Sequence, residues 1–497
     1  MTDVVVAGAG PVGLMLACEL RLAGAGVVVL ERNTEIDPTI KAGFVTVPGI
    51  EALDRRGLAP ALTKARDETL ARFGFAGRRP DAPRPRFLGH FGAMMLDSEL
   101  LDTTDPEIAG SARFVALGMV TQQQLEAILE DRARELGADV RRGVTMTGFT
   151  QDASSVTVTT DRGPIEAGWL VGCDGGRSLV RKLAGFDFPG TPPEITAYQA
   201  IADMENTEGL RPSWNITDTG AYAFGPFPGR ILVAEFEGAP ADRTSPVTPA
   251  ELEGAIRRVT GVGVTVTGIS SVTRFTDNAR QVTDYRSGRV LLAGDAAHVH
   301  SPFGGQGINL GLGDAMNLGW KLGATVRGWA PPGLLDTYTA ERHPIGAWVL
   351  DWTRAQIAIM RPDRHARALR AVLGDLASTV DGTTYFATRI SGVRQGYDLP
   401  GDHPLIGRSA PDLLLDDGTR PADHLHTGRA LLLDLTGDPA LRAAATGHAD
   451  RLTVHTAKTD DQNLTAIFVR PDGYVAWAAT DGSTTGLPER LTAWLGA

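Results

Sequence analysis

The residues with the most readable chemistry stand near the start of the chain. Gly8-Ala9-Gly10-Pro11-Val12-Gly13 lies between an apolar run at 3–7 and a helical pattern at 11–23. Gly8 permits a tight turn, Gly10 lets the backbone approach a pyrophosphate, and Gly13 lets helix and strand pack closely. Pro11 and Val12 begin the helix, whose free N–H groups and partial positive charge suit an anion. Glu31 closes a second apolar run at 26–31 and is followed by Arg32. A carboxylate there accepts hydrogen bonds from both ribose hydroxyls and repels a 2′-phosphate, which favours FAD or NAD over NADP. A glycine-rich turn alone would fit any α/β protein; strand, helix and Glu31 together make this a dinucleotide site.

Two later clusters also follow apolar runs. Cys173-Asp174-Gly175-Gly176-Arg177-Ser178, with Arg181 beyond it, offers a carboxylate and two guanidiniums, either for a cofactor or for structural ion pairs. Gly294-Asp295-Ala296-Ala297-His298 leads through His300 into Pro302-Phe303-Gly304-Gly305-Gln306-Gly307-Ile308-Asn309. Glycines at 304, 305 and 307 let backbone reach a flat ligand. His298 and His300 are the candidates for acid–base work. No Cys/His spacing marks a zinc site, so no metal is expected.

Elements must place these clusters. Residues 3–31 read as a βαβ unit. Residues 121–136 form an amphipathic helix pattern with Thr121 as N-cap, and 138–171 alternate as strands. Residues 194–275 read as a mostly antiparallel sheet, 289–294 as a buried strand, and 306–327 and about 334–375 as helical. Residues 76–86 are a proline- and arginine-rich loop. From about residue 398 a separate α/β unit begins, with strand patterns at 429–435, 451–457, 464–470 and 474–479.

Order and spacing of the three clusters resemble the group A FAD-dependent aromatic hydroxylases, with a para-hydroxybenzoate hydroxylase-like fold. The likeness is greatest to the angucycline-type hydroxylases of aromatic polyketide biosynthesis. RRGLAP, LGADVRRG, LVGCDGGRSLVRKLAGFDFPGT, RQVTDYRSGRVLLAGDAAH and RPDGYVAWAA carry it. The resemblance implies an α/β fold: a Rossmann-like FAD-binding domain (1–72, 97–178, 272–332), an interleaved antiparallel substrate domain with linking helices (73–96, 179–271, 333–395), and a thioredoxin-like C-terminal domain (398–497). It implies that Asp295 binds the ribityl and ribose region of FAD and that residues 302–309 line the flavin ring, with Asp174 near the cofactor. NADPH would be a transient reductant, for no second GxGxxG follows a strand. Reduced flavin would take O₂ to a C4a-hydroperoxide that hydroxylates a polycyclic aromatic substrate.

The substrate would lie between flavin and middle sheet, with Trp214, Tyr222, Phe224, Phe227, Pro228 and Phe303 as wall candidates, or else as ordinary sheet core. Arg86, Phe87 and His90 are candidates for closing the pocket. The chain departs from the family at Lys41 and Pro48, where arginines are usual, and at Gly118, where glutamine is common. Lys41 and Gln122 are the replacement cofactor contacts, although lysine lacks arginine's bidentate fork.

Composition narrows the class. The 497 residues carry a net charge of −11, which argues against nucleic-acid binding. The two cysteines, Cys18 and Cys173, cannot build a disulfide framework, and the C-terminal unit has none. No signal peptide or membrane span is read, and a cytoplasmic monomer or homodimer is expected. A halogenase would carry WxWxIP, which is absent; Trp348 and Trp352 are spaced differently. Baeyer–Villiger oxidation, antibiotic inactivation and a non-oxygenating, dehydratase-like role remain as alternatives.

Overall fold

The computed structural model describes residues 2–72, 87–225, 227–461 and 463–497. Thr2–Ala7 is the central strand of the main sheet, with Val4, Val5 and Val6 fully buried. Burial on both faces suits a β-branched run and calls for parallel neighbours. Five parallel strands run in the order Val290–Leu292, Gly163–Gly172, Thr2–Ala7, Val27–Glu31 and Asp139–Arg142. An antiparallel meander, Met146–Gln151 and Val156–Thr160, feeds into Gly163–Gly172. Gln122–Glu135 covers the sheet, and Thr121 caps it with Gln124 in a reciprocal capping box.

Two helices decide where the site lies. Pro11–Leu22 and Gly307–Arg327 pack so closely that a Cβ on Gly311 would stand 2.4 Å from Val12 Cγ2. A Cβ on Gly319 would meet Glu19 Cβ at 2.2 Å, and one on Gly323 would meet Ala23 Cβ at 2.3 Å. Gly311, Ala315, Gly319 and Gly323 repeat every four residues and therefore share one face. Rising numbers on one helix meet rising numbers on the other, so the helices run parallel. Their N-termini come together.

The second sheet is antiparallel, in the order Ser213–Ile216, Gly220–Phe224, Arg230–Glu235, Thr196–Glu205 and Thr265–Phe275. Pro249–Thr260 packs on one face through Leu252, Ala255, Ile256 and Val259. The other face meets Phe303, Ile357 and Met360. The helical region beyond residue 334 is three helices, Thr337–Met360, Arg364–Ala377 and Val380–Ser391, of which the last lies wholly beyond the expected end near 375. The 76–86 loop and Arg86 lie outside the described residues.

The C-terminal sheet runs Leu452–Thr456, Ala430–Asp434, Ala466–Val469, Val475–Ala479, with only the first pair parallel. This is the thioredoxin-like order, completed by the helix Leu487–Leu495. A buried quartet binds it to the rest of the chain. Glu341 accepts from Lys321 at 2.9 Å and from Arg470 at 2.8 Å, and Arg470 also pairs with Asp472 at 2.5 Å. Nearby, the buried Glu19–Arg56 pair extends the contact, with Arg56 donating to the carbonyls of Leu425 and Pro471.

Candidate functional site

The three glycine-bearing turns converge. Gly8, at φ +108°, leaves no room for a side chain: a Cβ would stand 2.4 Å from the carbonyl oxygen of Cys173. That contact joins the first turn to the second. A Cβ on Gly294 would meet Val12 at 3.0 Å, which joins the first to the third. By contrast, a Cβ on Gly10 or Gly305 would meet nothing within 4 Å. Gly10 and Gln306 are N-caps of the two parallel helices, and neither helix start has a side-chain cap. Two adjacent positive helix ends with unclaimed N–H groups form an anion and ring-edge cradle. The residues present therefore fit a flavin dinucleotide, with Pro11, Val12, Gly13, Pro302, Gly304, Gly307 and Ile308 in the two segments around that cradle. Glu31, at its edge, accepts from the amides of Ala9 (3.0 Å) and Asn33 (2.9 Å), and Arg32 beside it is exposed.

Behind the third turn lies a buried charged group that sequence reading passed over. Asp314 is fully buried and accepts from His298 Nε2 at 2.6 Å, Arg342 Nε at 2.7 Å and the Gly294 amide at 2.9 Å. Burial alone would raise its carboxyl, but His298 and Arg342 outweigh that and hold it below the ordinary value. Asp314 lies about two turns into the helix that begins at Gly307, yet it reads in the sequence as a plain polar residue. His298, fixed against it and fully buried, positions the backbone that presents the exposed Asp295. His300 differs: Nδ1 donates to Ser301 O at 2.7 Å, which leaves Nε2 buried and without a partner. Gly307 and Asp295 are its neighbours, since a Cβ on Gly307 would lie 3.6 Å from that nitrogen and 4.0 Å from Asp295 Oδ1. Burial pushes His300 down, which keeps the ring neutral. Asp314→Asn is expected to cost about 3 kcal/mol, because Arg342 loses its buried carboxylate. Thermal unfolding and the flavin-to-protein absorbance ratio after gel filtration would both fall.

The second turn shows a structural job. Asp174 Oδ2 accepts from the amides of Leu179 (2.6 Å) and Val180 (3.1 Å), while its Oδ1 is buried without a partner. Arg181 donates to Gly176 O and Ala296 O and stacks on Phe188, tying the second turn to the third. Arg177 reaches the Arg243 carbonyl.

The departures from the family pattern gather in and around one band, residues 37–46. Lys41 pairs with Asp37 at 2.8 Å. Gln122 donates its amide to Ala42 O, and its side chain is taken up by Glu126 at 2.7 Å. Gly118 is there because the band crosses it: a Cβ would stand 2.5 Å from Val45 O. Pro48 opens the helix Val47–Asp54. Asn309 anchors the band, accepting from Thr46 N at 2.8 Å and donating to Gly305 O at 3.0 Å.

Beyond the cradle stands an aromatic row. Trp214 lies 5.8 Å from Phe303 and 4.5 Å from His90, and Phe275 lies 5.8 Å from Phe303, centroid to centroid. Tyr222 and Phe224 are not part of it, and the expectation for them is corrected. They pack under Pro249–Thr260 with Ile231 and Val233, and Tyr222 accepts from Arg211 N. The reason is the pleat: Trp214 pairs with Ala223, so Ala221 and Ala223 face Phe303 while 222 and 224 face away. Phe227 sits at the following turn under Arg230, and Pro228 is exposed. Gln356, also missed, is fully buried; it accepts from Gly92 N at 3.2 Å and donates to Phe303 O at 3.3 Å.

Comparison with known proteins gives this geometry its class. Residues 1–353 match the FAD binding domain family, and 403–497 match the aromatic-ring hydroxylase C-terminal family. The chain therefore belongs to the FAD-dependent aromatic-ring hydroxylases, flavoprotein monooxygenases whose cofactor is FAD. It is 42% identical to the 12-dehydrotetracycline 5-monooxygenase/anhydrotetracycline 6-monooxygenase of Streptomyces rimosus subsp. rimosus, over 99% of each chain. It is 38% identical to the dialkyldecalin synthase of Streptomyces rugosporus, over 100% of this chain and 99% of that one. The crystal structure of CabE, an aromatic hydroxylase from angucycline biosynthesis, superposes with a TM-score of 0.86 at 38% identity, covering 100% of this chain and 99% of that one. Among the described residues, no helix is long and apolar enough to cross a membrane.

Proposed function

We propose that the protein hydroxylates a polycyclic aromatic polyketide, taking electrons from NADPH and one oxygen atom from O₂. The observation that carries this is the placement of the Trp214–Phe303–Phe275 row directly behind the glycine loop of the third turn. Bound FAD supplies the oxygen-activating chemistry. The chain's own residues hold and shield it. Asp295 and the amides at the two helix starts would bind the cofactor's polar edge, and Phe303 and Trp214, set edge to face, give an apolar aromatic wall that excludes water and orients a fused-ring substrate. The names of the tetracycline and angucycline relatives support that substrate class.

His90 offers the wall one polar group. Its Nδ1 accepts from Ala93 N at 3.4 Å, so the neutral ring carries its proton on Nε2. Burial, with Arg230 nearby, pushes His90 down to about 4. The imidazole is thus a neutral donor suited to a phenolic or quinone oxygen. His90→Ala is expected to lower kcat/KM about 10-fold, mostly through KM. Stability follows the same shift. As pH falls, the unfolded histidine takes its proton near 6.5 and the folded one only near about 4, so stability is lost across that window. His90→Phe would show a smaller acid loss of its thermal midpoint.

The deciding experiment is FAD reconstitution followed by NADPH oxidation against naphthacene and angucyclinone phenols. A product heavier by one oxygen atom, with NMR placing it on a ring carbon, is the expected result. Insertion next to a carbonyl would replace hydroxylation with Baeyer–Villiger oxidation. The likeness to a relative named a synthase favours one further reading, a flavoprotein with a non-oxygenating role. Conversion of a substrate under strict anaerobiosis without reductant would establish that reading instead.

A further inference from the structure

The C-terminal domain brings together three side chains that no part of the oxygenation scheme uses. We infer that Asp417, His424 and His455 form a surface site for a divalent transition-metal ion of the zinc class. One donor atom from each lies within 4.8 Å of the others. Ligand atoms around a four-coordinate zinc-class ion stand roughly 3.4 Å apart, so small rotations close the set on an ion. Two imidazoles and one carboxylate are the donor mixture such an ion prefers, with a fourth position left for water.

The three ligands come from three separate pieces of chain. Asp417 is in the turn after Leu415, His424 in the short 3₁₀ helix Pro421–Leu425, and His455 on the strand Leu452–Thr456. That separation is why linear spacing shows nothing. The geometry is already assembled: His455 Nε2 lies 2.9 Å from Asp417 Oδ2, His424 Nε2 lies 2.9 Å from Thr419 Oγ1, and the two imidazole rings stack at 3.7 Å. Face-to-face rings resist carrying two positive charges.

Leu452–Thr456 is the edge strand of its sheet. An ion held here would fasten that strand to the 417–425 segment, a staple in a domain that has no cysteine to make one. The FAD-loaded full chain, carrying no polyhistidine tag, is titrated with Co²⁺ as the probe and then with Zn²⁺. One equivalent of Co²⁺ should bind, with visible d–d bands at wavelengths beyond the flavin absorption, and Zn²⁺ should displace it and raise the thermal midpoint. His455→Ala and, separately, the milder Asp417→Asn and His424→Gln should each remove the bands while the flavin spectrum stays native. Absence of a stoichiometric spectrum in the parent protein, or bands of equal intensity in the folded variants, would overturn the assignment.

Discussion

Gly10→Ala and Gly13→Ala, three residues apart in one motif, are expected to fail in opposite ways. A Cβ on Gly13 would stand 2.0 Å from Gly8 O, a backbone atom that cannot step aside. Gly13→Ala should therefore destabilise the N-terminal unit by more than about 3 kcal/mol, through forced separation of helix and strand. Little folded protein is expected from expression. A Cβ on Gly10 meets nothing within 4 Å, so the apo fold should tolerate it. What it would occupy is the open space at the helix start, where the proposed FAD would place its pyrophosphate. Gly10→Ala should give a stable protein whose FAD affinity falls on the order of 100-fold, equivalent to ~2.7 kcal/mol. Equilibrium dialysis with FAD, alongside thermal unfolding of the apo forms, separates the two outcomes. A Gly10→Ala protein that retains flavin as tightly as the parent would mean that the cofactor lies elsewhere.

Removal of the Glu341 carboxylate is expected to be the most damaging change distant from the cradle. Lys321, Glu341, Arg470 and Asp472 are two cations and two anions, all buried, and their charges cancel. Glu341→Ala leaves two cations facing one carboxylate in a dry interface. Breaking such a set costs about 3–5 kcal/mol. The carboxyl of Glu341 is held well below its usual range, with Arg470 and then Lys321 overcoming the burial that would raise it. The sign follows: this contribution is complete above the ordinary value of 4.5 and is lost as pH falls below it. Urea unfolding followed by Trp fluorescence should show the C-terminal unit, where Arg470 lies 4.4 Å from the Trp494 ring, releasing first in the variant. Equal unfolding midpoints in parent and variant would remove the network from any role in stability.

The legible part of the molecule was the part written in local periodicity. The Val-rich strands, the Thr121 cap and the four C-terminal strands all follow from side-chain alternation or capping chemistry between near neighbours. The glycine turns were legible for the same reason, because a positive φ at Gly8 or Gly304 and a close approach at Gly13 leave glycine as the fitting residue. Asp314 and Gln356 were not legible, since each draws its meaning from partners contributed by distant segments. Asp314 meets Arg342 across two helices, and Gln356 meets Gly92 and Phe303. Tyr222 and Phe224 illustrate a different failure. Aromatic content marked the right strand, but only register decides which of two faces a side chain takes, and a shift of one residue reverses it. Gly118 looked like a loss relative to the family; it is the room through which the 37–46 band passes.

Gln356 carries a consequence for anyone who would exchange parts between relatives. One amide group holds the Gly92 turn with its oxygen and the Phe303 carbonyl with its nitrogen, and a Cβ on Gly304 would stand 2.7 Å from that nitrogen. The hairpin of Phe87–Phe91 and Met94–Asp97, beside the aromatic row, and the glycine loop of the third turn therefore share one brace. A graft that imports only one of them from a homologue brings a backbone cut for a different brace, so hairpin, loop and the 337–360 helix form the smallest transferable cassette.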